Sequence, residues 1–341
     1  MKKLGFLNKI VFILNTCFAT LLLGSYVLPY LFPKSFPSLS VLSLTVPVLI
    51  TCNLLFLLYW ALQLKKQFLL SFIILVLGYQ HITAFYGISG NDKPIKAATF
   101  SVMSYNVRIF NKYEWIPKKG IDKKIVRFIE KEQPDILCFQ EFLYEKEHLF
   151  DSYPYKYIRY KTKNQQTGQA IFSKYPIYNE GSLEFPSTGN NAIFVDIANG
   201  KDSLRIYNLH LESLRINTQE QVTKEESEKL FKSMGASFGL QQAQAEIFNA
   251  HRDQCELTKI VCGDFNNTQY SNIYKQVKGE MQDTFMEAGS GFGRTFNFKY
   301  FPVRIDFILV DESIEVNRHK NYSEQYSDHF PIAAYLTLKN K

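Results

Sequence analysis

At 341 residues the chain is long enough for one large domain or two ordinary ones, and its 39 basic and 32 acidic residues are unevenly spread. Residues 1–90 carry Lys2, Lys3, Lys9, Lys34, Lys65 and Lys66 and no acidic residue or arginine, so they hold +6 and leave 33 basic against 32 acidic groups, a net of +1, for the rest. An alkaline charge of that origin argues against a basic nucleic-acid-binding domain, and five scattered cysteines without a CxxC pair argue against a disulfide framework.

The chain opens on three apolar stretches without a charge: residues 10–32 (23 residues), 41–62 (22) and 68–86 (19, with Gln80 and His81 near its end). Each is close to the ~20 residues that cross a ~30 Å hydrocarbon core and longer than the apolar region of a signal peptide. Three membrane spans within residues 1–90 are therefore expected. Lys2, Lys3, Lys9, Lys65 and Lys66 then share one side, which predicts a cytoplasmic N-terminus and a C-terminal domain on the extracytoplasmic side. Residues 91–97, with Asn, Asp and Pro, read as a linker, and residues 98–341 remain for one sizeable core.

In that domain Thr99 to Asn106 alternates as a strand, and residues 118–132 place Ile121, Ile125, Phe128 and Ile129 on one helical face before Pro134 stops the helix. Residues 136–140 form a short buried strand ending at Glu141, and β-rich runs follow at 169–173, 192–197 and 204–210. Between Thr218 and His251 the pattern turns helical, with Leu240, Ala243, Ile247 and Ala250 in register; strands resume at 259–262, 304–310 and 332–338. This mixture predicts an α+β fold with two layers of sheet covered by helices.

Polar clusters sit at the ends of these runs: Ser104-Tyr105-Asn106-Val107-Arg108, Phe139-Gln140-Glu141, Asn208-Leu209-His210-Leu211, Gly263-Asp264-Phe265-Asn266, Arg304-Ile305-Asp306-Phe307 and Ser327-Asp328-His329. Strand ends are where scaffolds display catalytic groups, although a single Asn or Asp there is more often a turn former. Glu141 with Asn106 offers the sparse hard-oxygen donor set that suits Mg²⁺, and the absence of His and Cys clusters argues against zinc.

In this order the clusters resemble the endonuclease/exonuclease/phosphatase superfamily, which includes deoxyribonuclease I, exonuclease III-type nucleases, neutral sphingomyelinases and inositol polyphosphate 5-phosphatases. The resemblance covers about residues 98–338 and is most specific in Gly263-Asp264-Phe265-Asn266 together with Ser327-Asp328-His329. It implies a four-layered α/β sandwich and a phosphoesterase dependent on Mg²⁺, with Mn²⁺ as a substitute. It further implies that Glu141 binds the metal, Asn106 helps to hold it and Asp328 supports the ion or its waters. His329 becomes the general base or an electrostatic stabiliser, with Asp306 fixing its tautomer. Asp264 and Asn266 align the attacking water or contact phosphate, and Asn208 and His210 donate to phosphate oxygens. Arg108 departs from the pattern, since several family nucleases carry an acidic residue there; it cannot ligate a cation, but it can contact phosphate or pair with a carboxylate.

The expected substrate is a phosphodiester. A nuclease is favoured by Lys156, Arg159, Lys161 and Lys163 interleaved with Tyr155, Tyr157 and Tyr160. The alternative is a phospholipid-headgroup phosphodiesterase or inositol-phosphate-type phosphatase working at the bilayer that the N-terminal helices enter, with the Phe296–Pro302 stretch as an apolar loop. A non-catalytic receptor is disfavoured by the presence of both Glu141 and His329, and no protein partner is expected.

Overall fold

The computed structural model describes residues 4–88, 93–95, 99–160, 167–214, 224–298 and 301–339. The apolar N-terminal region folds as α1 (Phe6–Ser25), α2 (Pro37–Val41), α3 (Val46–Leu62), α4 (Phe68–Leu77) and α5 (Tyr79–Phe85). Two of its segments, Phe6–Tyr30 and Pro37–Leu62, are long and apolar enough to cross a membrane. The third expected span is not one rod: α4 and α5 meet at 80°. The break falls at Gly78, where a Cβ would lie 2.0 Å from the Tyr26 hydroxyl oxygen, and that hydroxyl donates to Ile74 O at 2.9 Å. The bend lays α5 on the C-terminal domain. There the Tyr270 hydroxyl donates to His81 O (3.2 Å), Gln269 Nε2 donates to Ala84 O (3.0 Å), and Phe85 stacks on Phe301.

A buried polar chain runs between the apolar helices. Trp60 Nε1 donates to Asn15 Oδ1 (3.0 Å), Asn15 Nδ2 to Ser71 Oγ (2.7 Å) and Ser71 Oγ to Asn53 Oδ1 (3.1 Å). Partners of this kind fix helix register where apolar packing alone is degenerate. At the end remote from the domain, Asn8 bonds Tyr59 and Gln63. At the near end Asn272 Nδ2 donates to Pro29 O (2.8 Å), and Lys34 meets Gln242 and Glu246. Residues 89–92 and 96–98, around the expected linker, lie outside the described residues; Lys93 N donates to Asn317 O at 2.8 Å.

The C-terminal domain continues with β1 (Phe100–Asn106), α6 (Ile121–Glu132), β2 (Ile136–Leu143), β3 (Tyr155–Tyr160), β4 (Thr167–Ser173), β5 (Ile177–Ser182), β6 (Asn191–Asn199), β7 (Asp202–His210) and α7 (Lys224–Arg252). It ends with β8 (Thr258–Asp264), α8 (Asn272–Lys278), β9 (Gln282–Asp283), α9 (Thr284–Ala288), β10 (Asp306–Val310), β11 (Ile314–Asn321) and β12 (Ile332–Leu338). The strands form two mixed sheets, ordered β11-β12-β1-β2-β4-β3 and β5-β6-β7-β8-β10-β9.

Strand alternation divides the core. Phe100, Val102, Ile136 and Cys138 point between the sheets with Val195, Ile206, Ile260 and Ile308, while Met103, Tyr105, Leu137 and Phe139 face outward onto Ile121, Ile125, Phe128 and Ile129 of α6. On the other side Tyr207, Leu209 and Val261 pack beneath Ala245 and Phe248 of α7 and Ile273 and Val277 of α8. Helix, sheet, sheet and helix make the four layers expected. The five cysteines are free. β11 was not expected, because its Arg318, His319 and Lys320 obscure the alternation that Ile314 and Val316 begin.

Register brings the chemistry to one edge. The parallel pairs β1/β2 and β7/β8 finish together, with Asn106 opposite Gln140 and His210 opposite Asp264. The antiparallel strand β10 starts there, with Asp306 directly opposite Asp264.

Candidate active site

Glu141 sits where β2 slips against β4, in the irregularity between Phe139 and Phe142, with φ of 52°. That turn leaves its side chain about a third exposed in an otherwise buried strand. Asn106, at the end of β1, donates through Nδ2 to Glu141 Oε1 (3.2 Å) and Asp264 Oδ2 (3.0 Å), and its Oδ1 accepts the Arg108 N–H at 3.0 Å. Asp264 Oδ1 accepts the Asn266 N–H at 2.8 Å, and Ser327 Oγ donates to Asn106 O at 2.9 Å, tying the Asp328-His329 loop to β1.

His329 and Asp306 are the best-defined pair. Both are buried, and His329 Nδ1 lies 3.1 Å and 3.0 Å from the two Asp306 carboxylate oxygens. Its Nε2 lies 3.6 Å from Asp264 Oδ2. Burial opposes a charge on His329, but Asp306, Asp264 and Asp328 override it and hold the imidazole pKa well above its ordinary value. Asp264 is pushed up to about 6 by burial and by the facing Asp306. Glu141 is raised by burial, against the Asn106 hydrogen bond and with help from the charge of Asp328. His210, 3.7 Å from Asp264 Oδ2 and 3.9 Å from Glu141 Oε1, is lowered by burial and is neutral near pH 7.

Arg108 Nη1 pairs with Asp328 Oδ2 at 3.1 Å, and its guanidinium lies 4.3 Å from the Trp115 ring centroid. Asn266 lines the cleft while its amide donates to Leu211 O at 2.9 Å. Asn208 corrects the sequence expectation. Its side chain is wholly buried, donates to Phe139 O (2.8 Å) and Ala170 O (3.1 Å) and accepts from Gln140 Nε2 (2.7 Å). It is a clasp between the two sheets, with no group left for a phosphate.

The donor chemistry fits a divalent cation. Glu141, Asp264 and Asp328 line one cleft, with Asp306 held against His329; Asp328 is paired with Arg108, while the partly exposed Glu141 offers its carboxylate to the cleft. Asp264, Asp306 and His329 also bring donor atoms within 4.8 Å of one another. Their 3.0 Å nitrogen–oxygen contact is hydrogen-bond spacing, so they form a proton-handling pair beside the open carboxylates. The cleft encloses about 470 Å³, and sequence reasoning missed part of its wall: Leu44, Pro47 and Val48, from the start of the second long apolar segment. An apolar residue in such a stretch carries no signal that it borders a polar site.

The basic strip expected for nucleic acid is neutralised where it is described. Lys156 pairs with Glu147 (2.9 Å) and Arg159 with Glu184 (2.7 Å), while Lys161 and Lys163 lie outside the described residues.

The domain resembles several solved structures. A humanized TDP2 of D. rerio aligns with a TM-score of 0.54 at 14% identity, covering 71% of this chain and 100% of the other. An endonuclease/exonuclease/phosphatase of Bacteroides vulgatus gives 0.55 at 20% identity over 71% and 99% of the two chains. The mannosyl-6-phosphatase Bt3783 of Bacteroides thetaiotaomicron VPI-5482 gives 0.51 at 20% identity over 70% and 100%. At these identities the likeness establishes the fold alone. No curated protein matches the chain. A family model described as a domain of unknown function matches residues 8–85. The model of the Endonuclease/Exonuclease/phosphatase family matches residues 103–329, well over half the chain, and takes in every polar cluster described above. With that match and the fold in agreement, this chain belongs to the endonuclease/exonuclease/phosphatase family.

Proposed function

We propose that this chain is a divalent-metal-dependent hydrolase of phosphate esters, with Mg²⁺ as its ion. The observation that carries the reading is the His329–Asp306 pair set beside the carboxylates of Glu141, Asp264 and Asp328 in one cleft at the ends of the parallel strands. Glu141 and Asp328 would hold the ion, with Asn106 beside them; bound there, it supplies positive charge to the phosphate oxygens. Asp306 accepts the Nδ1–H of His329, fixes the ring orientation and leaves Nε2 toward Asp264 and the cleft, where it exchanges a proton with the attacking water or stabilises charge on phosphate. Asp264 and Asn266 orient that water, and neutral His210 donates to a phosphate oxygen. Arg108, held by Asp328 and Trp115, offers its remaining N–H groups to the substrate.

Residues 1–90 form the anchor in this reading, 91–97 the linker and 98–341 the catalytic domain. In this reading the N-terminus is cytoplasmic because Lys9, Lys65 and Lys66 gather at its end, and the domain lies on the opposite side; Asn8 at the Gln63 end of the helices and Lys34 at the domain end support the opposite placement of the two. The test is a Mg²⁺ titration of the full chain, read by thermal unfolding and by hydrolysis of bis-p-nitrophenyl phosphate. Wild type gains stability and turnover with the ion, and Glu141→Gln loses both while folding normally; an unchanged response in that variant refutes the site.

A further inference from the structure

The cleft has a wall that phosphate hydrolysis alone does not require. Beside its polar groups the cleft is lined by Leu44, Pro47 and Val48 from one segment and by Phe296, Phe298 and Phe301 from another. A small water-soluble phosphate ester makes no use of an apolar wall built from two separate segments, whereas sites for partly apolar ligands are lined this way, with a few polar groups to orient them.

The source of the wall indicates the ligand. Leu44, Pro47 and Val48 belong to Pro37–Leu62, one of the two segments long and apolar enough to cross a membrane. Beyond them Leu54, Leu55, Leu58 and Leu62 are exposed along the same segment. The apolar surface therefore runs from that segment into the cleft, and α2 and α5, both docked on the catalytic domain, hold it there.

Resting on the phosphoesterase reading, we infer that the substrate is a membrane lipid bearing a phosphate ester. Its phosphate meets the Glu141 and His329 cluster, and one hydrocarbon chain lies between Val48 and Phe298. The reaction is addition of water across a P–O bond: the water oxygen joins phosphorus, the ester oxygen leaves with its bonding electrons and takes a proton, and no other reactant is consumed.

The experiment uses the full chain in phosphatidylcholine nanodiscs with Mg²⁺ and a series of alkyl p-nitrophenyl phosphates from ethyl to octyl. Each methylene buried raises kcat/KM about fourfold, so a chain only half covered gives about 60-fold between ethyl and octyl. Val48→Asn and Phe298→Ser should each flatten that ratio. A ratio unchanged in both variants assigns the gain to partition into the bilayer and overturns the inference. Cleavage of the ethyl ester with no chain-length effect, or cleavage of a single-stranded oligonucleotide faster than the octyl ester, overturns the lipid substrate and leaves the phosphoesterase reading standing. If no ester is cleaved, the phosphoesterase reading has itself failed, and the lipid inference with it.

Discussion

Asp306→Asn removes one charge from the site and almost no volume. Asp306 is 2% exposed and offers both carboxylate oxygens to His329 Nδ1, at 3.1 Å and 3.0 Å. Replacing that charge-assisted contact by a neutral one gives up about 1.5–3 kcal/mol, or about tenfold to 150-fold in kcat if the contact strengthens in the transition state. His329→Ala removes the imidazole itself and should cost ~10²–10⁴-fold. Because the carboxylate acts through the ring, the double variant should be no slower than His329→Ala alone. The pH dependence has a definite sign. Asp306 is the foremost of the charges that raise the His329 pKa, so its removal makes the imidazolium less stable and moves the limb of the rate profile that reports His329 to lower pH. Steady-state hydrolysis of bis-p-nitrophenyl phosphate between pH 5 and 9 reads both effects. A kcat within about threefold of wild type, a limb moved to higher pH, or losses that multiply in the double variant would refute the assigned roles.

Asp283→Asn should cost about 3–5 kcal/mol in urea unfolding, since it leaves Arg304 buried and unpaired where the pair now meets at 2.6 Å with side chains 2% and 1% exposed; a loss below about 1 kcal/mol contradicts this. Gly263→Ala should lower stability by on the order of 3 kcal/mol and displace Asp264, because φ is +142° and a Cβ would lie 1.9 Å from Leu209 O. A fully active, equally stable Ala variant would show that β8 can shift without cost. His319, buried with Nδ1 2.8 Å from Thr284 Oγ1, has its pKa lowered from 6.5 to about 4 by burial. The unfolded chain binds that proton first as pH falls, so stability is full above pH 6.5 and declines by about 3 kcal/mol as pH approaches 4. His319→Gln should flatten that slope, and an unchanged slope assigns it to other groups.

The grouping of the candidate residues was legible because they close strands whose buried alternation is strong. Phe100, Val102, Ile136 and Cys138 mark the inner faces of β1 and β2, and Asn106 and Glu141 follow directly. Asn208 was misjudged for a reason the same periodicity cannot remove. It shares a strand face with His210, and only the tertiary position of the strand end decides which of the two leaves the sandwich. The Arg108–Asp328 pair joins segments far apart in sequence, and no local pattern announces it. The bend at Gly78 was hidden because glycine is common in apolar spans, and hydropathy does not register that Tyr26 occupies the space of its missing Cβ.

The N-terminal helices are held to one another by the polar chain from Trp60 through Asn15 and Ser71 to Asn53. Apolar surfaces would allow α1, α3 and α4 many rotations of similar energy, and buried amides select one because any other leaves them unpaired. That choice sets which side of α3 and of the turn before it faces the domain, and hence that Pro47 and Val48 reach the cleft. The near end is fixed independently by Lys34 on Glu246 and Asn272 on Pro29 O. A helix pinned at both its interior and its end cannot roll without breaking one set of bonds. If the lipid reading holds, this fixed rotation is what lets the Pro47 and Val48 side of the cleft position a chain-bearing phosphate beside His329.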